Sequence, residues 1–301
     1  MIINGETRLV AVLGHPVKHT ASPAMHNAAI DVLGLNWRYV ALDVDPRHLG
    51  AAVRGLAAAG FVGLNLTVPH KMLALHCVDE LDPAAQMLGA ANTLQFSFVN
   101  GLPFIKGFNT DGYGILTALK EDFQFTPKGK TIAIVGCGGA GRAAAIQLAM
   151  AGARRLILIN RTRAKALAII RHIRQLRKKQ GRRTSRSPFH FHPKLECILE
   201  PQACDLIIQA TSLGLRPGDP LPIDQSLLRQ LAAPRFLDMI YRPADTPAMG
   251  LARRCGCRTA NGLGMLLHQG ARALAIWTGR KIPVETMRKA LHKEVYGRKS
   301  S

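Results

Sequence analysis

Acidic side chains are scarce in this chain of 301 residues: 19 Asp and Glu stand against 40 Lys and Arg, for a formal net charge of +21. A field of that sign favours anionic ligands, whether nucleic acid, phosphorylated cofactors or carboxylate substrates. Long apolar runs are missing as well. None approaches the ~18–20 residues that a bilayer-spanning helix needs, so no membrane span is expected. Cysteines are few and scattered (Cys77, Cys137, Cys197, Cys204, Cys255 and Cys257) and form no disulfide framework. Cys255 and Cys257 make a lone C-x-C with no second pair, which is no zinc set. The start of the chain carries no secretory pattern, since Asn4, Gly5 and Glu6 lead straight into an apolar strand at 8–13. These absences point to a reduced, cytoplasmic protein.

What is present is a βαβ rhythm. Strands are expected at 9–13, 38–42 and 62–66, alternating with helices at 24–33 and 49–59, and a hairpin at 92–96 and 102–106 turns on Asn100-Gly101. A second α/β unit follows Thr126-Pro127-Lys128-Gly129, with strands at 130–135, 156–159, 206–209 and 236–239. Helices at 264–277 and 284–291 are expected to return to the first domain. The fold class is therefore α/β, with mostly parallel sheets. The domains are read as 1–120, 121–261 and a C-terminal helical segment, 262–301.

Gly136-Cys137-Gly138-Gly139-Ala140-Gly141 follows one of these strands and opens an Ala-rich helix. In that context G-x-G-x-x-G is a dinucleotide fingerprint: Gly136 for the turn, Gly138 for approach of the pyrophosphate, Gly141 for helix–strand packing. The next strand ends not in an acid but in Asn160-Arg161-Thr162-Arg163-Ala164-Lys165. A carboxylate there would repel a 2′-phosphate, whereas Arg161 and Thr162 can bind one, with Arg163 or Lys165 adding positive charge. NADP(H) is the expected cofactor.

Four polar clusters fall at expected strand ends: 14–23, 65–71, 89–93 and 109–112. Together they suit a polyol substrate with one carboxylate. His19-x-x-Ser22-Pro23, Asn65-x-Thr67-x-Pro69-x-Lys71, Gly107-x-Asn109-Thr110-Asp111-Gly112 and Asn160-Arg161-Thr162 occur in an order that resembles the shikimate dehydrogenase family. Ala210-Thr211-Ser212-x-Gly214, Asp238-x-x-Tyr241-x-Pro243 and Gly264-Met265-Leu266-x-x-Gln269 extend the resemblance, which breaks down over 170–199.

The resemblance implies an N-terminal substrate-binding domain, a C-terminal Rossmann-like NADP-binding domain, and NADPH-dependent reduction of 3-dehydroshikimate to shikimate. It implies that Thr20 and Ser22 hold the carboxylate, that Asn65, Thr67, Asn92 and Asp111 bind ring hydroxyls, and that Tyr241 and Gln269 complete the pocket. Lys71 and Asp111 form the catalytic pair. Gly139, Ala140, Thr211 and Ser212 join the cofactor set, with Met239 and Gly262 on its nicotinamide side. Thr20 replaces the usual serine, which leaves a quinate-preferring dehydrogenase, possibly using NAD, as the alternative. Ala91 and Gly270 stand where valine and alanine are more frequent. A monomer or homodimer is permitted.

Other readings are weaker. His15, His19 and His26 lie close in sequence, but no carboxylate completes a zinc set, and His19 reads as a local hydrogen-bonding residue. Ser22 precedes Pro23 and is not in a nucleophile elbow. Residues 171–186 hold eight Lys or Arg and no acid. They read as a helix running into an exposed loop at 181–188, dispensable for turnover. With no interleaved aromatics, nucleic acid is not an expected partner.

Overall fold

The computed structural model describes residues 3–179, 189–192 and 203–297, so the basic loop at 181–188 and Cys197 lie outside the described residues. The chain divides into two compact units, Met1–Gly114 with Leu266–Ser301, and Ile115–Met265.

The first unit is built from β1 (Arg8–Gly14), α1 (Ser22–Val32), β2 (Trp37–Asp43), α2 (Leu49–Ala58), β3 (Gly63–Leu66), α3 (His70–Leu73), β4 (Glu80–Leu81), α4 (Pro83–Leu88), β5 (Thr93–Val99), β6 (Leu102–Phe108) and the start of α5 (Asp111–Phe123). Its sheet runs β2-β1-β3-β5-β6-β4. β1 is parallel to β2 and β3, β5 is antiparallel to β3, and β6 is antiparallel to β5. The β5–β6 turn has Asn100 at φ 50° and Gly101 at φ 78°, the paired positive φ values that a two-residue hairpin needs. Leu13, Leu64, Leu94 and Ile105 form a dry core, and α2 covers it with Leu49, Val53 and Ala57 at helical spacing.

The second unit holds β7 (Thr131–Val135), α6 (Gly139–Met150), β8 (Arg155–Ile159), α7 (Arg163–Lys179), β9 (Phe189–His192), β10 (Leu206–Gln209), α8 (Gln225–Leu231), β11 (Arg235–Asp238), α9 (Pro247–Arg254) and β12 (Arg258–Ala260). Its strand order, β12-β11-β10-β7-β8-β9, is parallel throughout and reverses direction between β7 and β10. This is the doubly wound Rossmann order. Every residue of β7 and β10 is buried, as expected where helices cover both faces of a parallel sheet.

Two helices end the chain, α10 (Leu263–Thr278) and α11 (Val284–Tyr296). From Leu266 on they belong to the first unit, where α11 lies on α1 and buries Met287, Leu291 and Val295. Among the described residues no helix is long and apolar enough to cross a membrane.

One expectation needs correction. The helix expected over 165–180 is present as α7, ending at Lys179, but its stretch from 171 is not dispensable surface. Ile173 is fully buried there, and Arg177 donates to the Ala149 and Ala153 carbonyls near the end of α6. Shortening from 171 would cut into the core, so a deletion that spares it must start beyond Arg177.

Candidate functional site

Strand polarity places the polar clusters of the first unit along one sheet edge. β1 and β3 are parallel, so the segments after Gly14 and Leu66 leave the same edge. β5 is antiparallel, with Thr93 opposite Asn65, so its start lies at that edge too. Phe108, at the end of β6, pairs with Thr93 and brings Asn109, Thr110 and Asp111 there. Because β1 and β3 take the chain to opposite sides, this edge contains a topological switch point, the usual ligand crevice of an open α/β sheet.

Lys71 and Asp111 meet at this edge. Lys71 Nζ donates to Asp111 Oδ2 at 2.6 Å, with Asp111 buried and Lys71 half-buried. Asp111 begins α5, where the helix dipole favours a carboxylate. Its other oxygen, Oδ1, accepts from Asn92 Nδ2 at 2.9 Å. Asn92 Nδ2 also lies 3.0 Å from Thr110 Oγ1 and 3.3 Å from Gln269 Oε1, while Asn92 Oδ1 accepts from the Thr110 amide at 2.8 Å. Asn65 Nδ2 donates to Thr93 Oγ1 at 3.0 Å and to the Asn92 carbonyl at 3.2 Å. Four residues singled out from sequence, Asn65, Asn92, Asp111 and Gln269, thus share one network with Lys71. Thr67 stands just beyond β3, its amide donating to the Leu13 carbonyl at 2.9 Å.

Thr20 and Ser22 open α1. Thr20 Oγ1 accepts from the Ser22 amide at 3.3 Å, and Ser22 is buried as the first helical residue. The three histidines part company. His15 Nδ1 pairs with Asp43 Oδ1 at 2.6 Å on the surface, and His26 is buried. Among the described residues no group of His, Cys, Asp or Glu is arranged to hold a metal ion. Gly270 has a packing reason, since a Cβ there would collide with Met25 Cε on α1.

His26 has Nδ1 2.9 Å from the Ser22 carbonyl and Nε2 3.2 Å from that of Gly270. Burial outweighs both contacts and pushes the imidazole from 6.5 down to about 4. The unfolded chain therefore takes up a proton first as pH falls. Stability is full above pH 6.5 and is lost between 6.5 and about 4. Thermal denaturation across this window should show the wild type losing stability more steeply than His26→Phe, which cannot titrate. Parallel slopes would count against a neutral buried His26.

In the second unit the glycine loop follows β7 at its own switch point. Gly136 is at φ 99°, and a Cβ on it would press on the Thr211 side chain. Gly138 and Gly139 have open space where a Cβ would stand. The N-terminus of α6 receives no side-chain cap, so its amides are available to an anion. A Cβ on Gly141 would overlap the Gly136 carbonyl oxygen. Gly141→Ala is accordingly expected to cost about 2–3 kcal/mol of stability and to weaken NADP+ binding at least about tenfold by displacing the loop. Thermal denaturation with a cofactor titration checks this; an unchanged protein would refute it.

Asn160 joins the glycine loop to the end of β8. Its Oδ1 accepts from the Cys137 amide at 2.9 Å and its Nδ2 donates to the Thr162 carbonyl at 2.8 Å. Arg161, Thr162, Arg163 and Lys165 are all exposed around it. Ala140 lies in the first turn of α6, and Thr211 and Ser212 follow β10. Met239 and Tyr241 follow β11, where buried Asp238 accepts from Thr246 Oγ1 at 2.6 Å and from the Ile240 amide at 3.0 Å. Burial raises the Asp238 carboxyl above its usual range. Gly262 lies against the Met239 carbonyl, with no room for a Cβ. These open glycines, free helix amides and clustered cations fit an anionic dinucleotide.

Sequence reasoning overlooked Tyr39, and gave Thr93, within the 89–93 cluster, no role of its own. Tyr39 is buried and its hydroxyl donates to Asn65 Oδ1 at 2.8 Å. It shares a β2 face with buried Trp37, and that two-residue period was the available signal.

Residues 12–94 match the model for the shikimate dehydrogenase substrate binding domain, and residues 262–292 match that for the shikimate 5'-dehydrogenase C-terminal domain. The NADP(+) shikimate dehydrogenase of Desulforamulus reducens is 42% identical over 298 residues, covering 97% of each chain. A crystal structure of shikimate dehydrogenase in complex with NADP+ is similar at a TM-score of 0.85 and 37% identity, covering 98% of both chains. Shikimate 5-dehydrogenase from Thermus thermophilus, solved with NADP(H) and shikimate, gives a TM-score of 0.79 at 34% identity, over 95% of this chain and 99% of that one. The chain belongs to the shikimate dehydrogenase family.

Proposed function

We infer that this protein interconverts 3-dehydroshikimate and shikimate with NADP(H). The observation that carries the chemistry is the Lys71–Asp111 pair, 2.6 Å apart within a buried amide network. When bound, NADPH supplies the hydride for the carbonyl carbon. Lys71 then gives its proton to the developing alkoxide, and in the reverse direction it accepts the proton of the alcohol. Asp111 holds the ammonium and accepts from a neighbouring ring hydroxyl. Thr20 and Ser22 take the carboxylate, Asn65, Thr67 and Asn92 bind ring hydroxyls, and Gln269 and Tyr241 complete the pocket.

The first unit is the proposed substrate domain, including the returning helices. The second is the proposed NADP domain, in which Gly136, Gly138, Gly139, Ala140 and Gly141 hold the pyrophosphate. Asn160, Arg161, Thr162, Arg163 and Lys165 hold the adenosine end, with Thr211, Ser212, Met239 and Gly262 toward the nicotinamide. The cytoplasm is the proposed location, supported by free Cys77, Cys137, Cys204, Cys255 and Cys257. Shikimate and quinate, each assayed with NADP+ and NAD+, test the assignment. The highest kcat/KM is expected for shikimate with NADP+; a higher value for any other pairing would overturn it.

A further inference from the structure

Asn65 has its amide committed on both ends. Its two Nδ2 protons go inward, to Thr93 Oγ1 at 3.0 Å and the Asn92 carbonyl at 3.2 Å. Its Oδ1 accepts from the Tyr39 hydroxyl at 2.8 Å and has one lone pair left. The Tyr39 proton is thus directed to Asn65. Burial holds this phenol un-ionised far above neutral pH, and it stays a donor. Its ring is stacked on His26 with centroids 4.1 Å apart and planes 12° from parallel.

We propose that Tyr39 is a positioning residue for substrate, holding Asn65 so that Oδ1 accepts from a ring hydroxyl. This rests on the shikimate assignment above. A flipped amide would set Oδ1 against the Asn92 carbonyl and take from the Tyr39 hydroxyl the acceptor it now donates to. Tyr39 itself need not contact the reacting atoms.

Tyr39→Phe keeps the ring and its stack on His26, so the protein should fold and the defect should be one of binding. In the full-length enzyme the KM for shikimate is expected to rise at least about fivefold, with kcat and the KM for NADP+ changed by less than about twofold. In an Asn65→Ala background, adding Tyr39→Phe should change the shikimate KM by less than about twofold, because Tyr39 would have nothing left to orient. An unchanged KM, a parallel fall in kcat and cofactor binding, or a full additional effect beside Asn65→Ala would each overturn the proposal alone. A wild-type enzyme with no shikimate turnover would overturn the functional assignment and this proposal with it.

Discussion

Replacing Lys71 with alanine is expected to lower kcat for shikimate oxidation at least about 100-fold while changing NADP+ affinity by less than about twofold. The ammonium uses one of its donors on Asp111 Oδ2 at 2.6 Å. An ammonium has three donors, so others remain for a substrate oxygen. Asp111 is held by Asn92 Nδ2 at 2.9 Å and should keep its place in the variant. What disappears is the group that moves the proton, and this loss falls on kcat rather than on cofactor binding. Asp111→Asn should act differently. It removes the charge that orients Lys71 and an acceptor for a ring hydroxyl, so kcat falls and shikimate KM rises together. Steady-state kinetics with direct NADPH titration separate these outcomes. A folded Lys71→Ala enzyme with near-wild-type kcat and a raised KM would make Lys71 a binding residue only.

The fold was legible where an apolar run or a turn dipeptide marks an element directly. The strand expected at 206–209 matches β10, and the hairpin around Asn100-Gly101 stands as expected because that dipeptide favours the turn. Short helices escaped. α8 and α9 are too brief to establish a helical period, although capping Asp224 and capping Thr246 before Pro247 marked their starts. α5 was readable and missed: Ile115, Ala118, Leu119 and Phe123 are buried at helical spacing. Local motifs brought attention to Lys71 and Asp111, which lie far apart in sequence. Their 2.6 Å approach depends on antiparallel β5 and β6 returning the chain to the edge that β3 leaves. The Tyr39–Asn65 contact is long-range in the same way, and no local pattern announces which strand residue will lie beside another.

Arg161→Asp should raise the Kd for NADPH at least about 100-fold, because charge-assisted hydrogen bonds contribute about 1.5–3 kcal/mol and a carboxylate adds repulsion. NADH has no 2′-phosphate, so its Kd should change far less or improve, since an acid at this strand end suits a ribose diol. The position favours a clean result. Asn160 bonds the Cys137 amide at 2.9 Å and the Thr162 carbonyl at 2.8 Å, fixing the backbone on both sides of Arg161. The Arg161 side chain is exposed, and the substitution disturbs no core contact. Lys165, also exposed at the start of α7, leaves some attraction for phosphate and keeps residual NADPH binding measurable. Salt supplies a second axis. Exposed cations are screened beyond about 8 Å at physiological ionic strength, so the NADPH Kd of the wild type should rise with salt more steeply than that of the variant. Fluorescence titration of both cofactors at two salt concentrations measures each effect. Equal losses for NADPH and NADH would show that Arg161 serves a part of the dinucleotide common to both, and 2′-phosphate recognition would then have to lie elsewhere in the 160–165 segment.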